Sequence, residues 1–149
     1  MKTVVTRCKS ASVKINKKIV GSINEGLLVL VGFTYEDSIK DIDYMVDKII
    51  NLRIFNDNNN VMNKSALELN KQILSVSQFT LYANCKKGRR PSFLDAAKPE
   101  ISKPLYEYFN KALENAGVHI ETGIFGAMMK VSLINDGPTT IILDSKEII

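Results

Sequence analysis

The run LLVLVGFT, Leu27 to Thr34, limits the fold more than any other stretch of the chain. No polar side chain interrupts Leu27 to Val31, so a strand built from it must be covered on both faces. It is too short for a stable helix, and its valines and flanking glycine favour extended backbone. Something amphipathic must supply the cover. One candidate is the segment SIKDIDYMVDKIINL, where Ile42, Met45, Val46 and Ile49 recur at helical spacing behind an N-capping Ser38. Another is KPLYEYFNKALENAG, with Leu105, Phe109, Ala112, Leu113 and Ala116 on one stripe, Pro104 in the first turn and Gly117 at the stop. SFLDAA reads as a shorter helical piece.

The remaining periodic stretches are strands. TVVTRCKSASVKI and INKKIVGSI meet at a turn placed at Asn16-Lys17, and VHIET, MMKVSLI and TTIILD follow Gly117. SVSQFTLYA, Ser75 to Ala83, reads as one more strand, while NDNNN and NDGPTT read as turns. The order strands, helix, strand, helix, strands implies a layered sheet with helices on one side.

Bulk properties narrow the function classes. The 149 residues suit one domain, residues 1–149, with its own core. No apolar run approaches the ~20 residues that cross a bilayer, and MKTVVTRCKS lacks the apolar centre of a signal peptide. Cys8 and Cys85 have no metal-ligand spacing, so a cytoplasmic protein with reduced thiols is expected. A net charge of +4 is unremarkable, but KKGRR packs four cations into Lys86 to Arg90. Such a cluster either holds phosphates or is a solvated loop.

Familiar catalytic patterns are missing. The single histidine, His119, stands beside apolar residues in VHIET, and neither HExxH, CxxC, GxGxxG nor a P-loop occurs. No metal and no cofactor is expected. What is left is SQFTL: alternation in a strand would put Gln78 and Thr80 on one face, Ser77 and Phe79 on the other. Spacing alone favours cross-strand hydrogen bonding at an exposed face. The functional alternative is a strand lending hydroxyl, amide and backbone N–H groups to a substrate carbonyl. TGIFGAMMK adds Gly123 and Gly126 around Phe125, with Met128 and Met129, residues that fit either a core or an adaptable ligand surface. Finally, NDGPTT places Gly137 and Pro138 side by side, although Asp-Gly alone would suffice for a tight turn.

Taken in order, SQFTL (Ser77–Leu81), KKGRRPSF (Lys86–Phe93), TGIFGAMM (Thr122–Met129) and NDGPTT (Asn135–Thr140) resemble the D-aminoacyl-tRNA deacylase family. The likeness runs from VVTRCKSASV to IILD, nearly the whole chain. It implies an α/β fold: a single compact domain of curved, barrel-like, mixed and largely antiparallel sheet, with two main helices covering one side, assembled as a homodimer. The activity implied is hydrolysis of the ester joining a D-amino acid, or glycine, to tRNA, with L-aminoacyl-tRNA spared.

The resemblance also implies roles. Ser77, Gln78, Phe79 and Thr80 line the pocket, with amides near Phe79 and Thr80 holding the ester carbonyl. Phe125 and Met129 contact the terminal adenosine, and Lys86, Lys87, Arg89 and Arg90 hold the acceptor end. Gly137-Pro138 forms a cis peptide, otherwise found in about 5–6% of X-Pro bonds, and reaches into the partner subunit's pocket. Backbone there can crowd an L side chain, spare a D side chain, and pass glycine, which has none. The chain departs from the family in reading GAMM where GADM is frequent, which removes an acid at Met128, and in having Thr139 where valine is frequent. Thr80 has no base to activate it, so the substrate's own 2′-hydroxyl assisting water is the preferred route. A non-catalytic tRNA-binding module and a general serine or threonine esterase are the rival classes.

Overall fold

β1 (Lys2–Ile15) organises the sheet, because it is long enough to take partners along both edges. The computed structural model describes residues 1–148. On one edge β1 pairs antiparallel with β2 (Lys18–Ile23) and β3 (Gly26–Gly32). β8 (Lys130–Asp144) takes the other edge, also antiparallel. The turn into β2 forms at Asn16 and Lys17, both at positive φ (49° and 68°), the geometry that a right-twisted hairpin needs. β3 continues the sheet through parallel pairing with β6 (Gln72–Ser77), and β6 pairs in parallel with β7 (Ile120–Thr122). A short ribbon of β4 (Phe55–Asn56) and β5 (Met62–Lys64) lies apart. The main sheet is mixed and rolls into a nearly closed barrel. Gly21 in β2 permits the ends to meet, since a Cβ there would sit 2.6 Å from the carbonyl oxygen of Thr122.

The helices are α1 (Ile39–Asn51), α2 (Pro99–Asn115) and the short α3 (Ser145–Ile148). As the apolar run requires, β3 is buried on both sides. Leu27, Val29 and Val31 pack with Ile42, Met45 and Ile49 of α1 and Phe109 and Leu113 of α2. Leu28 faces the opposite way, into a second cluster with Cys8, Ala11, Val13, Leu74 and Val76. Each such side chain contributes about 1.5–3 kcal/mol on burial, which is why this strand anchors both layers. At the start of α1, the Ser38 amide and hydroxyl both donate to the Asp41 carboxylate, at 2.9 and 2.6 Å. Burial pushes the Asp41 pKa up, but those bonds, with Lys146 and Ser145 nearby, hold it at about 2.

Several local expectations are corrected. α2 begins at Pro99, which supplies the pre-set φ of a first turn, so Pro104 lies inside the helix on its exposed side. Its stop is as read: Gly117, at φ +88°, donates its amide to Glu114 and ends the ladder. SFLDAA is a turn rather than a helix, and Ala96 and Ala97 in it are buried. The segment SVSQFTLYA leaves the sheet at Ser77 and winds into a 3-10 turn, Phe79–Tyr82. NDGPTT does not separate two strands. β8 runs on through it, with Thr140 opposite Thr6 and Asn135 opposite Cys8. Four residues, Asp136 to Thr139, therefore stand out as a bulge against one residue of β1.

Candidate functional site

β3 and β6 end side by side, and beyond them opens a cavity of about 590 Å³. Ser77 is the last residue of β6, paired with Val31, and the Gln78 amide then donates to the Val31 carbonyl at 2.7 Å. The chain tightens into the 3-10 turn, whose first internal bond runs from the Leu81 amide to the Gln78 carbonyl at 3.3 Å. The amides of Phe79 and Thr80 precede that bond and stay out of the ladder, as the leading amides of any helical turn do. Ser77, Gln78 and Phe79 line the cavity together with Phe125 and Met129, and Phe93, Lys98 and Ser102 also belong to its lining. Among the described lining residues Lys98 is the single ionisable one, so the cavity offers no carboxylate or imidazole as a base.

Thr80 is exposed and outside the lining. Its hydroxyl oxygen accepts a hydrogen bond from Gln78 Nε2 at 2.5 Å, and a donor aimed at that oxygen draws electron density away from it. The alternation expected of a strand fails here because backbone turns, not pleat, bring Gln78 back to Thr80. His119 also lies outside the lining: it precedes β7, with its side chain 59% exposed and 3.4 Å from Glu121.

A buried polar tie supports the cavity from behind. The Tyr106 hydroxyl in α2 donates to the Ser75 carbonyl at 2.9 Å, and the Gly123 amide donates to the same oxygen at 3.0 Å. Phe125 rests against the Tyr106 ring with centroids 5.9 Å apart. Burial pushes the Tyr106 pKa up, which keeps its hydroxyl a donor. The strand carrying Ser77 and the loop carrying Phe125 are thus fixed to one side chain.

The Gly137-Pro138 dipeptide sits at the crest of the β8 bulge, exposed, with Gly137 at φ +131° and a cis peptide bond between the two. Arg7 of β1 holds the bulge from below. Its Nε donates to the Asp136 carbonyl at 3.0 Å, lies 3.4 Å from the Asp136 carboxylate, and its Nη1 donates to the Ile54 carbonyl at 2.5 Å. The Asn135 side-chain oxygen accepts from the Thr139 amide at 3.0 Å on the other flank. Sequence reasoning passed over Arg7. Its signal was a lone cation within the β-branched run TVVTRC, where burial demands specific acceptors.

The candidates therefore fall into groups. Ser77, Gln78, Phe79, Phe125 and Met129 share one cavity, with Thr80 beside it. Gly137 and Pro138 do not line the cavity of their own chain. Nor do Lys86, Lys87, Arg89 and Arg90, which stand exposed on a loop closed at its neck by paired hydrogen bonds between Asn84 and Ser92 (2.8 and 3.0 Å). β8 also exposes Val131, Leu133, Ile134 and Ile142. No cluster of three or more His, Cys, Asp or Glu suited to a metal occurs among the described residues, and none of their helices is long and apolar enough to cross a membrane.

Comparison with known proteins places this geometry. The family model described as D-Tyr-tRNA(Tyr) deacylase matches residues 4–144. The D-aminoacyl-tRNA deacylase of Bacillus pumilus (strain SAFR-032) is 58% identical over 147 residues, covering 99% of this chain and 100% of that protein. That of Bacillus mycoides (strain KBAB4) is 56% identical over 146 residues, covering 98% and 100%. Among solved structures, one described as c-Myc DNA Unwinding Element Binding Protein superposes with a TM-score of 0.91 at 39% identity, covering 97% of this chain and 98% of that one. A probable eukaryotic D-amino acid tRNA deacylase shares the fold at 18% identity, with a TM-score of 0.82 and coverage of 95% and 97%. Matched over almost its full length by both the family model and close relatives, the chain belongs to the D-Tyr-tRNA(Tyr) deacylase family.

Proposed function

We propose that the protein hydrolyses the ester of D-aminoacyl-tRNA, releasing the D-amino acid and rejecting the L form, and that glycyl-tRNA passes the same filter. One observation carries the mechanism: the cavity is lined by Phe79, the first residue of a 3-10 turn whose leading amides are left out of its ladder, and none of the described lining residues is a carboxylate or imidazole. The ester carbonyl is held by the Phe79 and Thr80 amides, which stabilise the oxyanion as water adds. The 2′-hydroxyl of the terminal adenosine assists that water, and the amino-acid carboxylate and the free 3′-hydroxyl leave. Thr80 is not the nucleophile, since its oxygen accepts from Gln78 and no base stands by to take its proton. Phe125 and Met129 contact the terminal adenosine.

Chirality is read by the main chain at Gly137-Pro138, acting in the cavity of a second copy of the chain. Support comes from its placement, exposed on a braced bulge and away from its own chain's cavity. The apolar side chains that β8 exposes suit a two-fold interface, where each copy offers the same patch. On this reading the protein works as a homodimer on tRNA, in the cytoplasm.

The direct test is single-turnover hydrolysis of matched D- and L-tyrosyl-tRNA. The D ester is expected to disappear at least about tenfold faster, a difference of only about 1.4 kcal/mol at the transition state. Equal loss of both, or loss no faster than in buffer, refutes the reading.

Capture of tRNA rests on the basic loop. Replacing Lys86, Lys87, Arg89 and Arg90 together with alanine is expected to weaken binding and to flatten the plot of log affinity against log salt by roughly 3 in slope. An unaltered slope returns the loop to ordinary solvated surface.

A further inference from the structure

Two aromatic rings stand exposed between the cavity and the basic loop. Phe79 and Phe93 meet edge to face, with centroids 5.1 Å apart and planes at 70°, yet they remain 57% and 39% exposed. Both belong to the cavity wall. Phe93 follows directly on Ser92, whose pairing with Asn84 closes the neck of the loop carrying Lys86, Lys87, Arg89 and Arg90. Large aromatic side chains left open to water need a reason. An edge-to-face contact covers one ring face at most, so the pair keeps a flat apolar surface available.

Aromatic faces beside a cationic loop are the combination by which proteins hold single-stranded nucleic acid. Cations follow the phosphates while bases stack on the rings. We propose that Phe93, braced edge-on by Phe79, is a stacking platform for the base of the nucleotide that precedes the terminal adenosine. The inference rests on the deacylase reading above, and adds a second nucleotide subsite to it. A single strand whose last nucleoside fills the cavity leaves past the rim, crosses Phe93, and reaches the loop with its phosphates. Stacking of this kind tolerates any base, because every base has a π face. It would let the enzyme grip the shared single-stranded end of all tRNAs without reading their sequence.

The test compares three small D-tyrosyl esters: adenosine alone, the dinucleotide cytidylyl-adenosine, and the same dinucleotide with an abasic sugar in the first position. Hydrolysis is followed as kcat/KM for the wild type, Phe93→Ala and Phe93→Trp. For the wild type the full dinucleotide is expected to exceed the abasic one by about tenfold. Phe93→Ala should erase that advantage and Phe93→Trp should restore it. A wild-type enzyme that treats the full and abasic dinucleotides alike overturns the proposal, as does an advantage that survives in Phe93→Ala. Dissociation of a wild-type dimer by Phe93→Ala, seen by light scattering, overturns it too, by assigning the ring to the partner subunit. These outcomes leave deacylation intact. Failure of the wild type to cleave any D ester, D-tyrosyl-tRNA included, removes the parent reading instead.

Discussion

Gly137→Ala is expected to lower the ratio of D- to L-tyrosyl-tRNA hydrolysis by at least about tenfold, and to take most of the D-specific rate with it. The added Cβ would lie 2.5 Å from Thr139 Oγ1 and 3.0 Å from both Arg7 Nη2 and the Thr139 amide nitrogen. The backbone there has φ +131°, a region that L side chains rarely adopt, and forcing one into it costs about 1–3 kcal/mol. The Thr139 hydroxyl can rotate away, but the amide and the braced guanidinium cannot, so the crest of the bulge must shift. Thr80→Ala provides the contrast. Since its hydroxyl accepts a bond from Gln78 and the described cavity lining holds no carboxylate or imidazole, that variant should retain substantial D-specific activity. Single-turnover deacylation of paired substrates by both variants decides the matter. A dead Thr80→Ala beside a fast, stereospecific Gly137→Ala replaces the backbone filter with a covalent threonine route.

Arg7→Met should damage the same element from beneath and destabilise the fold as well. The side chain is 10% exposed and joins three stretches of chain: its own β1, the Ile54 carbonyl before β4, and Asp136 in the β8 bulge. Methionine fills much of the volume but donates nothing, leaving the Ile54 carbonyl without its guanidinium. An unpaired buried acceptor costs about 1–3 kcal/mol, enough to read as a lower melting temperature. Without its brace the bulge samples other positions, and the D:L ratio should fall together with the rate. Arg7→Lys should rescue little, because a point ammonium cannot reach acceptors on two sides as a planar fork does. Wild-type melting and wild-type stereospecificity in Arg7→Met would show that the bulge is held by β8 alone.

How far the sequence reached depends on the range of the interactions involved. LLVLVGFT was legible because burial on both faces leaves a direct mark on composition, and β3 is covered as expected. The turn at Asn16-Lys17 and the helix stop at Gly117 were legible because both rest on the local tolerance of positive φ. The strand assigned to SQFTL failed, since nothing local distinguishes a strand from a 3-10 turn beginning two residues after its last sheet pair. NDGPTT misled for a related reason. Its residues are those of a turn, and the pairing of β8 with β1 that keeps it inside one strand lies about 130 residues away in sequence, beyond any windowed pattern. The grouping of Ser77, Gln78, Phe79, Phe125 and Met129 came from family likeness, and the roles of Arg7 and Tyr106 needed coordinates.

That long-range pairing sets an order of events during synthesis. The first strand to leave the ribosome can form its hairpin with β2 at once, and β3 soon after, because those contacts are local. Its other edge must wait for β8, the last strand made, and meanwhile presents unpaired backbone groups to any passing strand. The dipeptide bulge takes shape only when β8 docks, since Arg7 offers half of its brace from the opposite end of the chain. A ribosome-bound chain stalled before Lys130 should therefore lack the dipeptide bulge and leave the outer edge of β1 open, although the cavity residues Ser77 to Met129 and the basic loop are already made.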